Sequence, residues 1–345
     1  MYENTECKIL ESIDAETLMA TAFYRRAFLV EELIPRGLTV LSGASKAGKS
    51  WMMLWMALQI ASGQEIWGLK THQCGVLYIS LEDTMERLQE RLFELTDAAP
   101  PNLRLCVRAD LIGSGLEEQI YNHLAMYPET GLVIIDTFQK IRNSRSTSTA
   151  NIYATDYSDI SAVKNIADEM GVSIILVHHL RKMKDGSDPF NDISGSTGIM
   201  GAADSCLILK RERGENTAKL LATGRDIEHQ EFTLELESGK FIWKLKERKG
   251  AEKIKTEKVP DFLYKVADFM RHELCWDGSA TELLEKVKEE QVNCRTVTTL
   301  LARYAQDFLM PKGITYETGR NNKGRYISLV CMPPDVYNPD GSYVS

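Results

Sequence analysis

Residues 43–50 read GASKAGKS. Gly43 and Gly48 enclose four small or flexible residues, Ala44, Ser45, Lys46 and Ala47, and are followed by Lys49, Ser50 and Trp51. So bare a turn lets successive backbone N–H groups curl around an anion at a helix N-terminus. The spacing G-x-x-x-x-G-K-S predicts ATP and Mg2+ as cofactors, with residues 43–51 holding the phosphates. Lys49 would reach the β- and γ-phosphates, and the Ser50 hydroxyl would ligate the metal. An accidental match in a chain of this length has a probability of roughly 1%.

Three further groups suit the same chemistry. Asp136 ends the apolar run GLVIID, where a carboxylate can hold magnesium through water. Glu82 ends VLYISLE and is placed to act as general base for the attacking water, whereas Asp83 reads as a cap on the following helix. His178 and His179 follow SIILV. A lone histidine at a strand end is commonly a satisfied polar group. Two beside a γ-phosphate read as a sensor, with His179 favoured.

Such residues need a scaffold that brings strand ends together. GLTVLSG, GVLYISLE, RLCVRA, GLVIIDTF and SIILVHH are strand-like runs without apolar/polar alternation, separated by helical segments. That order predicts an α/β fold with a mostly parallel sheet covered on both faces. The helix KSWMMLWMALQIA is apolar almost all round and must be buried, with Gly63 as its stop. DSCLILKR, TAKLLATGR, EFTLELE and KFIWKL follow with hairpin-length gaps and predict an antiparallel edge.

From Lys244 the character changes. KLKERKGAEKIKTEKVP carries seven Lys/Arg against three Glu and reads as a linker. Three amphipathic helices follow, the second with a Ser279/Glu282 capping box, and then two short β-type runs around a Gly/Asn turn. Helices followed by a hairpin are the order of a winged helix. The expected boundaries are an N-terminal extension 1–29 containing a helix over 14–24 capped by Asp14, an ATPase domain 30–245, a linker 246–258, a winged-helix-like domain 259–332 and a tail 333–345.

The chain has 345 residues and a net charge of −8, against a protein coated in nucleic acid. No run of the ~18 apolar residues that a membrane helix needs is present. The seven cysteines are scattered without C-x-x-C spacing, and the N-terminus is acidic. Both point to a cytoplasmic protein with reduced thiols and no membrane partner.

The order of phosphate loop, strand-ending Glu82-Asp83, VIIDT, VHHLRK and GSTGIMGAAD resembles the RecA-like AAA-family ATPases of the plasmid RepA helicase type. The resemblance covers residues 25–245. It implies a RecA-like core and a homo-oligomeric ring, usually a hexamer. It also implies ATP hydrolysis between subunits and work on single-stranded DNA as a replicative helicase of a plasmid, phage or integrated mobile element. A primase or loader becomes a possible partner. By position Glu82 matches the catalytic glutamate, Asp136 the magnesium-side acid and His179 the sensor. One departure stands out: where the plasmid enzymes carry the arginine offered to the neighbouring subunit, this chain has Asp204. Related ring helicases carry basic residues on a later strand, which makes Arg225 the candidate finger, with Arg213 and Arg211 behind it. A surface arginine on a hairpin is the bland alternative.

For DNA, the loops after Asp136 and after the histidines supply Arg142, Arg145, Lys182 and Lys184, with Tyr153 for base stacking. In the C-terminal domain, residues 291–330 hold Arg295, Arg303, Lys312, Arg320, Lys323 and Arg325 against Asp307 and Glu317. Arg295, Arg303, Arg320, Lys323 and Arg325 suit duplex DNA. Solvated loops and a protein-docking winged helix remain the alternatives. So does a RecA-like ATPase that serves as a recombination or replication mediator, or as an assembly switch, without unwinding.

Overall fold

The computed structural model describes residues 12–22, 28–142, 149–180, 190, 197–237, 240–250, 259–321 and 324–332, with backbone only for 149–156, 197, 198, 200 and 321. Two compact units form: Arg26–Ile254, and Met1–Arg25 together with Lys255–Ser345.

In the larger unit, β1 (Phe28–Val30) and β2 (Ile34–Pro35) make a small antiparallel pair. Next come β3 (Gly37–Gly43), α2 (Lys49–Ala61), β4 (Gly75–Ser80), α3 (Met85–Leu95) and β5 (Leu103–Cys106). They are followed by α4 (Leu116–Met126), β6 (Thr130–Asp136), α5 (Phe138–Ile141), α6 (Thr149–Met170), β7 (Ser173–His179) and α7 (Thr197–Ala202). Finally β8 (Ser205–Lys210), β9 (Thr217–Gly224), β10 (Gln230–Leu236) and β11 (Trp243–Lys249) complete one sheet in the order β11-β10-β9-β8-β3-β7-β6-β4-β5. Strands β8 to β5 in that order are parallel, and β9, β10 and β11 are antiparallel.

The unbroken apolar character of these strands has a direct cause. Successive side chains point to opposite faces, and both faces are covered. Val76, Tyr78, Leu132 and Ile134 pack with α2 on one side. Leu77, Ile79, Val133 and Ile135 pack with α4 and α6 on the other. Each such aliphatic side chain contributes about 1.5–3 kcal/mol on burial. Helix α2 is buried nearly all round, from Met52 through Ala61. It starts after Gly48 in the left-handed region (φ 102°) and stops before Gly63 (φ 66°).

Some boundaries differ from expectation. Helix α6 begins at Thr149, nine residues before the run SDISAVKNIADEMG that reads as a helix in sequence. The stretch TANIYATDY is poor in strong helix formers, so its propensity hides the start. Strand β11 runs to Lys249, into the stretch read as linker, because its basic residues sit on a sheet edge opposite the acids of β10, such as Lys246 with Glu235 at 2.9 Å. Among the described residues no helix is long and apolar enough to cross a membrane.

The smaller unit contains α1 (Ala15–Ala20), α8 (Asp261–Glu273), β12 (Cys275–Gly278), α9 (Ala280–Lys286) and α10 (Cys294–Tyr304). A π-helical turn, Ala305–Leu309, extends α10, and β13 (Ile314–Asn321) and β14 (Gly324–Cys331) form a hairpin. The sheet order is β12-β14-β13. Strand β12, CWDG, is too short and too mixed to show in sequence. It exists because β14 offers it an edge. The Ser279/Glu282 capping box on α9 is formed. Helix α1 is capped by Asp14 as expected, but it packs on α10 of this unit.

Candidate active site

The parallel strands end together, and their C-terminal ends carry the predicted chemistry. Gly43 is paired with His179 across β3 and β7, Asp136 with Val177 across β6 and β7, and Ser80 with Asp136 across β4 and β6. The phosphate loop leaves β3 at Gly43 and enters α2 at Lys49, so its N–H groups face the same rim. Gly43 must be small: a Cβ there would lie 2.8 Å from the Leu209 carbonyl and 3.1 Å from Lys49 Cδ. Lys46 also takes a left-handed conformation (φ 65°).

Lys49 is buried, and its Nζ donates to the Gly43 and Ala44 carbonyls at 2.9 and 3.0 Å. Burial holds its pKa below the usual lysine value, while the charges of Asp136 and Glu82 pull it back up. Asp136 is buried, and this raises its carboxyl pKa. Hydrogen bonds from Ser50 and Tyr78 oppose that shift, and the charges of Glu82 and Asp83 add to it. His179 is half-buried and its pKa is lowered, first by burial and then by the Lys49 charge. Lys49, Glu82, Asp136 and His179 thus share one electrostatic site. His178 points elsewhere: it is buried and packs edge-on against Phe138, with ring centroids 5.4 Å apart.

The donor set fits a magnesium nucleotide. A helix N-terminus with a cation above it and a Ser50–Asp136 pair beside it would hold phosphate and metal respectively. Among the described residues no group of three His, Cys, Asp or Glu could bind a metal without help from a ligand. Magnesium bound by few protein groups plus substrate phosphates is the ordinary case.

Asp83 differs from expectation. Thr84 caps α3, its hydroxyl accepting from Arg87 N. Asp83 instead accepts from Ser80 Oγ at 3.1 Å and pairs with Arg91 at 2.6 Å. Tyr78, Trp243 and the ring partners of Trp51 lie outside the sequence reading. Tyr78, buried in β4, donates to Asp136 Oδ2 at 2.9 Å, with the Ser50 carbonyl also within reach at 3.3 Å. A tyrosine inside an aliphatic strand is the available signal, since a buried hydroxyl needs a partner. Trp51 stacks on Phe241, with centroids 4.0 Å apart, and carries Arg91 on its ring. Trp243 backs the phosphate loop, 3.2 Å from where a Cβ of Gly48 would lie.

The arginine candidates separate. Arg225 donates to the Gly201 carbonyl and lies 3.7 Å from Asp204. Asp204 accepts from Leu38 N at the start of β3. Arg225 is therefore a strand length, about 20 Å, from the phosphate loop of its own chain. Arg211 follows β8 at the loop end and lies over Trp243, 5.2 Å from its ring.

Of the DNA candidates, Arg142 is tied to Asp159 at 3.0 Å and lies over Phe138. Arg303 lies over Tyr304. Arg320 and Arg325 both pair with Glu16. Arg145, Lys182, Lys184 and Lys323 lie outside the described residues, as does the side chain of Tyr153.

The sequence pattern of the AAA domain family matches residues 3–185, more than half of the chain. The chain belongs to the AAA domain family. Its β3-to-α2 loop and the acid at the end of β6 lie inside the matched region, and Arg225 lies beyond it. Among solved structures the chain is similar to an ATPase domain (14% identity, TM-score 0.50, 61% of this chain and 85% of that one). It is also similar to a DnaB-like replicative helicase described with its interactions with primase (15%, TM-score 0.49, 61% and 58%). A third is a KaiC-like protein from Pyrococcus horikoshii OT3 (15%, TM-score 0.45, 64% and 94%). The chain spans a little over half the length of that DnaB-like helicase. No curated relative matches the chain. At 14% identity the first of these likenesses speaks for the fold, which is RecA-like. The domain is an ATPase of that fold.

Proposed function

We propose that the protein is an ATP-driven ring motor on DNA, a replicative helicase of the plasmid RepA type carried by a mobile element. The observation that carries this reading is the convergence of Lys49, Glu82, Asp136 and His179 at the C-terminal ends of four parallel strands. The loop N–H groups and Lys49 hold the phosphates. Asp136 and Ser50 would hold a magnesium ion, whose positive charge would offset that of the phosphate oxygens. Glu82 takes the proton of the attacking water. His179, neutral through burial, donates or accepts one hydrogen bond at the γ-phosphate and so reports its presence to β7. Arg225 acts on the nucleotide of a neighbouring subunit, because its own lies too far away. Arg142 and the basic residues that follow β6 and β7 in sequence bind single-stranded DNA, and the smaller unit is a winged helix that anchors duplex DNA.

Strand displacement tests the reading. ATP hydrolysis stimulated by single-stranded DNA, with unwinding of a forked duplex that stops in Lys49→Ala, supports it. DNA-stimulated hydrolysis without displacement would instead favour a mediator that translocates or assembles. A mass measurement with and without ATP and DNA gives the ring size.

A further inference from the structure

The smaller unit places two like charges against each other. Arg320 and Arg325 are direct cross-strand partners on the β13–β14 hairpin. Like charges at such a position repel unless an anion lies between them. Here the anion is Glu16 of α1. Its carboxylate lies 2.6 Å from Arg320 Nη2 and 3.7 Å from Arg325 Nη2, and Arg325 Nη1 donates to the Glu16 carbonyl at 3.1 Å. Beside this contact is a cavity of about 510 Å³ between α1, α9 and α10, lined by Glu16, Thr281, Arg295, Thr299 and Arg325 among others. Guanidinium groups and hydroxyls on one rim are the groups that grip backbone phosphates.

Charge is distributed to match. Residues 1–22 hold Glu3, Glu6, Glu11, Asp14 and Glu16 against Lys8 alone, whereas residues 291–330 hold six basic side chains against two acids. Asp14 feels the same patch: its carboxyl pKa is lowered chiefly by hydrogen bonds from Thr17, with Arg320 and Arg325 adding their field. We propose that the face formed by α9, α10 and the β13–β14 hairpin is a docking surface for the phosphate backbone of duplex DNA, and that α1 covers it in cis with Glu16 in a phosphate's place. The proposal rests on the reading of the smaller unit as a DNA anchor and adds its control.

The cover is lightly held. Its firm attachments are Ala20, buried to 1% exposure, and the Tyr316 hydroxyl, which donates to the Ala20 carbonyl at 2.8 Å. Leu18 and Met19 stay largely exposed. The Glu16–Arg320 pair is itself solvent-exposed, and exposed pairs of this kind contribute little to stability. A duplex presenting several phosphates at once displaces such a contact, more readily at low salt.

The test uses the full chain without nucleotide and a blunt duplex, with binding followed by anisotropy at low salt. Glu16→Gln and Asp14→Asn/Glu16→Gln should bind about threefold to tenfold more tightly than wild type. Arg320→Gln/Arg325→Gln should lose the binding whatever stands at position 16. Amide exchange over residues 13–20 of the wild type should speed up when duplex is added. If wild type binds through Arg320 and Arg325 but the Glu16 variants bind no better and exchange is unchanged, the cover is wrong and the anchor stands. If neither wild type nor the Glu16 variants bind above the arginine-substituted chain, the anchor fails and the cover with it. The groove is then a protein-docking surface.

Discussion

The hydroxyl of Tyr78 lies 2.9 Å from the carboxylate of Asp136, inside the sheet and behind the phosphate loop. The same hydroxyl reaches the Ser50 carbonyl at 3.3 Å. One buried group thus links the metal-side acid to the first turn of α2. Burial and the Asp136 charge raise its pKa well above the usual tyrosine value, so it remains a donor. Tyr78→Phe should cost about 1–3 kcal/mol of stability, since it removes a partner from a buried carboxylate. It should also raise the magnesium concentration needed for half-maximal hydrolysis and leave metal-free nucleotide affinity little changed. Unaltered magnesium dependence would remove Tyr78 from the site.

Asp136 gives a prediction of opposite sign for stability. Its folded-state pKa is raised, chiefly by burial. The ionised carboxylate is then less favourable in the folded chain than in the unfolded one. That penalty is complete above the folded pKa and fades as pH falls through it. Asp136→Asn should therefore stabilise the nucleotide-free protein by about 0.5–2 kcal/mol at pH 8, and the gain should shrink as the pH is lowered. Hydrolysis should be lost. Thermal unfolding across pH, with wild type and variant side by side, checks the sign.

Lys49 and Glu82 should separate binding from turnover. Lys49→Ala removes a buried cation held over the loop carbonyls, and nucleotide affinity should fall at least tenfold, on the order of the 1.4 kcal/mol or more of a charge-assisted contact. Glu82→Gln should bind nucleotide normally and hydrolyse it about 100-fold or more slowly, because an amide takes no proton from water. Normal turnover in Glu82→Gln would move the base elsewhere.

Arg225 should act only across a subunit boundary. Arg225→Ala should bind ATP and turn it over about 1000-fold more slowly, the range of an arginine finger. Mixed with Lys49→Ala, it should recover part of the activity, because some interfaces then contain two intact halves. With subunit exchange demonstrated, an absence of recovery would turn attention to Arg211 and Arg213.

Much of the ATPase unit is legible in sequence, for local reasons. A strand covered on both faces must be apolar throughout, so Gly37–Gly43 and Ser173–His179 declare themselves. A loop that bends around phosphate must be made of small residues, so Gly43 to Ser50 does so too. Asp136 and His179 end such strands and Glu82 follows one by two residues, and parallel strands end on one side, so the sequence alone places the three as candidates on a common rim. Contacts between segments distant in the chain leave no such trace. Tyr78 looks like one more core residue until its hydroxyl meets Asp136, 58 positions away. Strand β12 forms only because β14 offers an edge. Glu16 and Arg320 are 304 residues apart, and nothing in either neighbourhood announces the other. Burial and periodicity are written locally along the chain, residue by residue. Charge pairing and hydrogen-bond partnership depend on which surfaces the fold brings within about 3 Å, and only the tertiary structure decides that.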